Sequence, residues 1–271
     1  MTDGPAGVLV MGVLNVTPDS FFDGGRYLDV DAAVGRGMEM IAEGVDVVDV
    51  GGESTRPGAD PVNADEERRR VLPVIAALSP HVRVSIDSSK ETVAAAAVEA
   101  GATLINDVSA SLWPLAASAH VGWVAMHRQG DPKTMQRSPA YGDVVGEVLD
   151  LLLERANRAE EEGVPEVWID PGIGFGKTLE HNVRLLGALE RFVKSGRPVM
   201  VGVSRKQFLG TLAGGVGAQE RLDASVATAV WAATQGVGMV RVHDVGQTVM
   251  AMRLMGERLM GERLKGEGVP A

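Results

Sequence analysis

Eight short apolar runs recur along this chain, and each stops at a polar residue or a glycine pair. Val8–Leu14 ends at Asn15, Val45–Val50 at Gly51-Gly52-Glu53, Val82–Ile86 at Asp87 and Ala102–Ile105 at Asn106. Gly122–Met126 ends at His127, Val167–Ile169 at Asp170, Val199–Val203 at Ser204 and Met239–Val242 at His243. Such near-continuous runs suit parallel strands, whose two faces are both covered. Helical stripes lie between them: Val34, Met38, Ile41 and Val45; Val71, Val74, Ile75 and Leu78; Val145, Val148, Leu149, Leu152 and Ala156. Asn63 followed by Asp65, Glu66 and Glu67 reads as a helix start, with acids on the positive end of the dipole. Gly44, Gly101, Gly163 and Gly196 precede strands, as left-handed helix caps do. These spacings predict one α/β domain, a (β/α)8 TIM barrel over residues 1–271, with 250–271 as terminal helix and frayed tail. Periodicity does not see closure, and a doubly wound open sheet would read the same way.

Composition narrows the function. Hydrophobic residues at 45% supply a large core, and aromatics at 4% make it aliphatic. The absence of cysteine excludes disulfides and thiolate chemistry and fits a reducing compartment. Met1–Gly7 carries no secretory pattern, and no run nears the ~18 apolar residues of a membrane span, so the expectation is a cytoplasmic protein with no membrane partner. A net charge of −10 argues against nucleic acid, which requires a basic footprint. Small anionic substrates are not excluded, because a local field can oppose the global one.

The strand ends carry the chemistry, since a barrel gathers its catalytic groups at the carboxyl ends of its strands. Asp87, Asn106 and Asp170 would form an acceptor-rich floor for a flat heterocycle bearing N–H donors; the plainer alternative is that each caps the helix behind it. Ser204-Arg205-Lys206 and Arg241-Val242-His243-Asp244 follow strands seven and eight, the usual phosphate site of this fold. A helix starting near Ser204 would add backbone N–H groups toward an anion. Asp170–Lys177 is glycine-rich but lacks the GxxxxGK[ST] order, so it reads as backbone passing close to a ligand, with Phe175 as a stacking face. His127 has no partner at a recognisable spacing and reads as an ordinary hydrogen-bonded histidine. His81, His120 and His181 receive no function, and no spacing resembles a protein metal cage. The two longest strand-to-helix segments, Asn15–Val30 and Gly51–Val62, have the length of functional loops. The tail repeat RLMGE-RLMGE-RLKGE, Arg253–Glu267, fits no helix period.

The same residues resemble the dihydropteroate synthase family. Asn15–Gly25 is similar to its NVTPDSFxDGG signature and Gly51–Ala59 to its GGESTRPGA signature. IDSSK (Ile86–Lys90), INDVSA (Ile105–Ala110), DPGIGFGK (Asp170–Lys177), VSRK (Val203–Lys206) and RVHDV (Arg241–Val245) follow in order. Ser88 stands where the family often has threonine, and Arg128 where an apolar residue is expected.

The resemblance implies condensation of a dihydropterin methyl diphosphate with 4-aminobenzoate. It implies that the pterin meets Asp87, Asn106, Asp170, Lys206 and Met126, and that the diphosphate meets Asn15, Ser88, Arg241 and His243. It also implies Mg²⁺ on Asn15, needing substrate phosphates to complete its shell. The arylamine would meet Thr55, Arg56, Pro57, Phe175 and Ser204, with Asp19 and Arg56 on closing loops. Asp87, Asp19, Arg56 and Lys206 are the implied catalytic set, and a homodimer is implied by resemblance alone. The alternatives are a pterin-binding methyltransferase acting on methyltetrahydrofolate, or a non-catalytic pterin carrier.

Overall fold

The computed structural model describes residues 7–17, 26–53, 62–130 and 134–259. Strands and helices alternate: β1 (Leu9–Asn15), α1 (Arg26–Glu43), β2 (Val47–Gly51), α2 (Ala64–Leu78), β3 (Arg83–Asp87), α3 (Glu91–Glu99), β4 (Leu104–Asp107) and α4 (Trp113–Ala119). There follow β5 (Gly122–Met126), α5 (Val144–Glu161), β6 (Val167–Asp170), α6 (Leu179–Gly187) and α7 (Leu189–Val193). The chain continues through β7 (Met200–Gly202), α8 (Gln207–Leu212), α9 (Leu222–Thr234), β8 (Met239–Val242) and α10 (Val245–Leu259).

All strand pairs are parallel, in the order β6-β5-β4-β3-β2-β1-β8-β7. A bridge between Ile169 and Val199, with Ile169 N donating to Pro198 O at 3.0 Å, joins the two ends. The sheet is therefore a nearly closed barrel, which settles the question that periodicity left open.

Alternation along each strand sorts side chains into two cores. Met11, Val47, Leu104, Val124, Trp168, Met200 and Met239 fill the interior toward the strands' amino ends. Their neighbours in sequence, among them Val10, Val48, Ile105, Trp123, Ile169, Val201 and Val240, face the helices in a larger shell. The interior is thus plugged by apolar side chains at one end, and polar residues occupy the other.

Several expectations hold in detail. Asn63 Oδ1 accepts from Glu66 N at 2.9 Å, capping α2. Gly44, Gly101, Gly163 and Gly196 all have positive φ. Three readings need correction. In α1 the buried face is Ala33, Gly37 and Met40, while Met38 is exposed. The cause is Gly37: a Cβ there would lie 2.5 Å from Leu78 Cδ1, so α1 meets α2 along the glycine. The helix also begins at Arg26, which shortens the first strand-to-helix segment. Finally, α10 runs through Arg253 and Gly256 to Leu259, so the start of the tail repeat is helical despite its period.

Gly37→Val should lower stability by about 1–3 kcal/mol, because fully buried Leu78 has nowhere to move. Urea denaturation would read this as a lower midpoint at unchanged slope; an unchanged midpoint would refute the close α1–α2 contact.

Candidate active site

The polar end of the barrel follows from the same alternation. Register pairs Asp49 with Ser85, Asp87 with Asn106, Met126 with Asp170 and Gly202 with Arg241. These positions share the inward parity of the apolar plug, one or two layers nearer the carboxyl ends. Asn106 and Asp107 show the rule in adjacent residues. Asn106 faces inward, whereas Asp107 faces the helices, accepting from Ser109, Ser111 and Leu112 N–H groups and from Trp123 Nε1.

Arg241 organises the interior. Its Nε donates to Asp49 Oδ2 at 2.6 Å and its Nη2 to Asp87 Oδ2 at 2.7 Å. Asp49 Oδ2 also accepts from Asn106 Nδ2 at 2.9 Å. Because a carboxylate can only accept, this contact fixes which end of the Asn106 amide is nitrogen. Gly202 leaves space between two cations: a Cβ there would lie 3.8 Å from Lys206 Nζ and 3.8 Å from Arg241 Cβ. Lys206 sits 4.7 Å above the centroid of the Phe175 ring and donates to Ile173 O. Asp170 Oδ1 accepts from Gly172 N at 2.8 Å. On the other flank, Asn15 Oδ1 and Asp87 Oδ2 each lie 3.7 Å from where a Cβ of Gly51 would be. Six strands, β1, β2, β3, β4, β6 and β8, therefore aim functional groups at one mouth, joined by Lys206 just after β7.

Burial perturbs these groups strongly. It pushes the Asp87 carboxyl up to about 7; Arg241 opposes the shift, and Asp49, Glu67 and Asp107 add to it. Burial also raises Asp170, against Lys206 and the Gly172 N–H. Lys206 is lowered to about 8 by burial, with Asp170 opposing and Arg241 assisting. Arg241 moves the other way: burial would lower it, but Asp49 and Asp87 hold its proton more firmly. A carboxyl near 7 and an amine near 8 at one mouth mark a site able to change charge around neutral pH.

Between β6 and α6 the backbone is held by Lys177. Its Nζ contacts His127 Nδ1 at 2.9 Å and donates to Phe175 O at 3.0 Å and His127 O at 3.3 Å. Burial lowers Lys177 to about 7, and burial with the Lys177 charge lowers His127 to about 3, so the imidazole is a neutral acceptor. His127 thus has a partner that its sequence spacing hid, fifty residues away. Gly172, Gly174 and Gly176 have positive φ, and side chains at Gly172 or Gly176 would run into the His127 or Gln129 carbonyls. The glycines serve a loop packed tightly on the end of β5. It is not a phosphate cradle.

The structure brings Asn15, Asp87, Asn106, Met126, Asp170, Lys206 and Arg241 to this mouth. Ser88 is buried, its Oγ accepting from Lys90 N at 3.2 Å. Ser204 Oγ lies 3.1 Å from both His243 N and His243 Nδ1, tying strands seven and eight together at the rim. Asp19, Thr55, Arg56 and Pro57 lie outside the described residues.

Some readings change. Asp87 and Asn106 bond Arg241 and Asp49 and cap no helix, which disposes of the plainer alternative for them. One amide N–H of Asn106 is committed to Asp49, so its carbonyl oxygen and one N–H remain for a ligand. The helix expected near Ser204 starts at Gln207, and Arg205 turns away, with φ of 57°, to pair with Asp244.

Sequence reading missed Asp49, Lys177 and the buried Glu67 that joins Lys90 at 2.6 Å. Asp49 had left a signal, a carboxylate inside the run Val45–Val50 at the parity of Gly51. Among the described residues no cluster of three or more His, Asp or Glu could hold a metal. No helix there is long and apolar enough to cross a membrane.

The family model of pterin binding enzymes matches residues 11–243. Dihydropteroate synthase of Escherichia coli is 46% identical over 254 residues, covering 91% of this chain and 90% of that one. A Xanthomonas albilineans dihydropteroate synthase solved with 4-aminobenzoic acid is 42% identical, with a TM-score of 0.87 over 97% of this chain and 94% of that one. The Xanthomonas albilineans enzyme in complex with 7,8-dihydropteroate superposes with a TM-score of 0.83 at 40% identity, over 97% and 95% of the two chains.

Gly172→Ala should cost more than about 1 kcal/mol from its φ of 64° alone, with the clash against the His127 carbonyl added. Thermal melting checks this, and an unchanged midpoint would show that the loop relaxes freely.

Proposed function

The chain belongs to the pterin-binding enzyme family, and on that footing we propose that it is a dihydropteroate synthase. It joins (7,8-dihydropterin-6-yl)methyl diphosphate to 4-aminobenzoate, giving 7,8-dihydropteroate and pyrophosphate. The observation that carries this reading is the convergence of Asp170, Asn106, Asp87, Lys206 and Arg241 on one barrel mouth.

The amino-pyrimidine edge of the pterin offers N–H donors to Asp170, while Asn106 supplies its carbonyl oxygen beside them. Lys206 donates to the ring's carbonyl oxygen or N5, and Met126 packs on the ring. The diphosphate lies toward Arg241, His243, Asn15 and Ser88. Reaction breaks the bond between the methylene carbon and the bridging oxygen, and its electron pair leaves with pyrophosphate. Asp87, near the ring's N8, stabilises the resulting pterin cation. The amine lone pair of 4-aminobenzoate then forms the C–N bond, and the ammonium proton passes to solvent. Phe175 and Pro57 would wall the arylamine ring, with its carboxylate toward Ser204. Asp19, Thr55 and Arg56 ride on the two loops that would close over the pair.

Mg²⁺ fits the donor set only with substrate present. Asn15 and Asp87 put hard oxygens on either side of Gly51, but the described residues offer no protein cage. Asn15 would hold the ion, whose charge would neutralise diphosphate oxygens. The same reading carries a homodimer; exposed Leu212, Trp231, Met250 and Leu254 on α8, α9 and α10 supply apolar surface for it. It also carries a cytoplasmic location.

Pyrophosphate release should occur on adding 4-aminobenzoate to enzyme, pterin diphosphate and Mg²⁺. A coupled phosphate assay with dihydropteroate followed alongside checks this; no release, or release with the amine present that yields no dihydropteroate, would refute the synthase reading. With Asp87 required as anion and Lys206 as cation, kcat/KM should be bell-shaped, falling below about 7 and above about 8. Asp87→Asn should lower kcat by about 100-fold or more while leaving the Kd for dihydropteroate within about threefold. A flat profile from pH 6 to 9, or equal losses in both constants, would make Asp87 a binding residue only.

A further inference from the structure

Among the described residues, Asp49 is the one carboxylate of this interior to which the proposed reaction gives no role. It is fully buried, and its Oδ2 serves two groups that are assigned to substrate, Arg241 Nε and Asn106 Nδ2. Its Oδ1 has no hydrogen-bond partner, and neither does the Oγ of Ser85, its register neighbour on β3. An unpartnered buried carboxylate oxygen is unfavourable, and an apolar side chain among these valines would pack with less desolvation. Stability alone does not account for the residue.

Its geometry does. Without Asp49, the Arg241 guanidinium would be free to turn one two-N–H edge onto both oxygens of Asp87, the favoured bidentate arrangement. That would occupy both Asp87 oxygens and reorient Nη1. With Asp49 holding Nε, Asp87 is engaged through Oδ2 alone, and Asp87 Oδ1 and Arg241 Nη1 carry no bond among the described residues. The same oxygen fixes the Asn106 amide so that its carbonyl oxygen meets ring donors. We propose that Asp49 is a positioning residue, which sets Arg241 for the diphosphate and Asn106 for the pterin through one shared oxygen. The assignment rests on the synthase reading of those two residues.

Two ligands read the two arms separately by isothermal titration: inorganic pyrophosphate for Arg241 and 7,8-dihydropteroate for Asn106. Asp49→Asn keeps the volume but places an amide against donors, and should weaken both ligands by about tenfold or more. In an Asn106→Ala background, Asp49→Asn should weaken dihydropteroate by less than about threefold. In an Arg241→Lys background it should weaken pyrophosphate equally little, because Asp49 acts through those residues. Full losses retained in both backgrounds, or both affinities within about twofold of the unaltered protein, would overturn the assignment. Failure of the unaltered protein to bind either ligand would overturn the synthase reading and this assignment with it.

If Asp49→Asn does not fold, arginine ¹⁵Nε NMR on the unaltered protein decides instead. One Nε–H, lost in Arg241→Lys, should stay protected from solvent exchange with and without pyrophosphate. Rapid exchange, or its release by pyrophosphate, would contradict the proposal.

Discussion

Arg241 is held inside a barrel whose lower half is apolar, and the site depends on the two carboxylates that hold it there. A lone guanidinium in such a place would be prohibitive, and a single partner would neutralise the anion that the proposed reaction needs. Sharing one cation between Asp49 on β2 and Asp87 on β3 avoids both outcomes. The low-dielectric surroundings then strengthen every interaction that the pair offers to a ligand.

The rest of the molecule serves that arrangement. Methionines and Trp168 plug the interior beneath it, so charge is confined to one end. Gly51 and Gly202 remove side chains where the mouth must stay open. Strand-borne groups set the floor, and the loop after β6 sets a wall, pinned by Lys177 to both Phe175 and the end of β5. Lys90, held by Glu67, similarly pairs with Glu53 just past the end of β2, and Arg70 donates to Gly52 O at 2.8 Å. Strand ends and the pinned loop after β6 thus place the groups that the proposed function assigns to the heterocycle.

Much of this was legible in the sequence because buried parallel strands announce themselves as apolar runs, and their ends as polar residues. Asp87, Asn106 and Asp170 stood out for that reason, and Arg241 because a cation inside such a run has few places to go. Asp49 was equally visible by parity, but it sits inside its run rather than at its end, where the polar signal is strongest. Lys177 and His127 meet only because β5 and β6 are neighbours, a fact of register that spacing along the chain cannot carry. The burial of Gly37 in place of Met38 had the same origin: a helix–helix approach chose the face.

The central claim is that one strand-tip mouth seats the ring on acceptors and the departing group on cations. A crystal structure with 7,8-dihydropteroate and pyrophosphate tests it most directly. The account requires the pterin edge on Asp170 and Asn106, Met126 against the ring, and pyrophosphate on Arg241 and His243. Ligand at the apolar end of the barrel, or pyrophosphate bound away from Arg241, would contradict it.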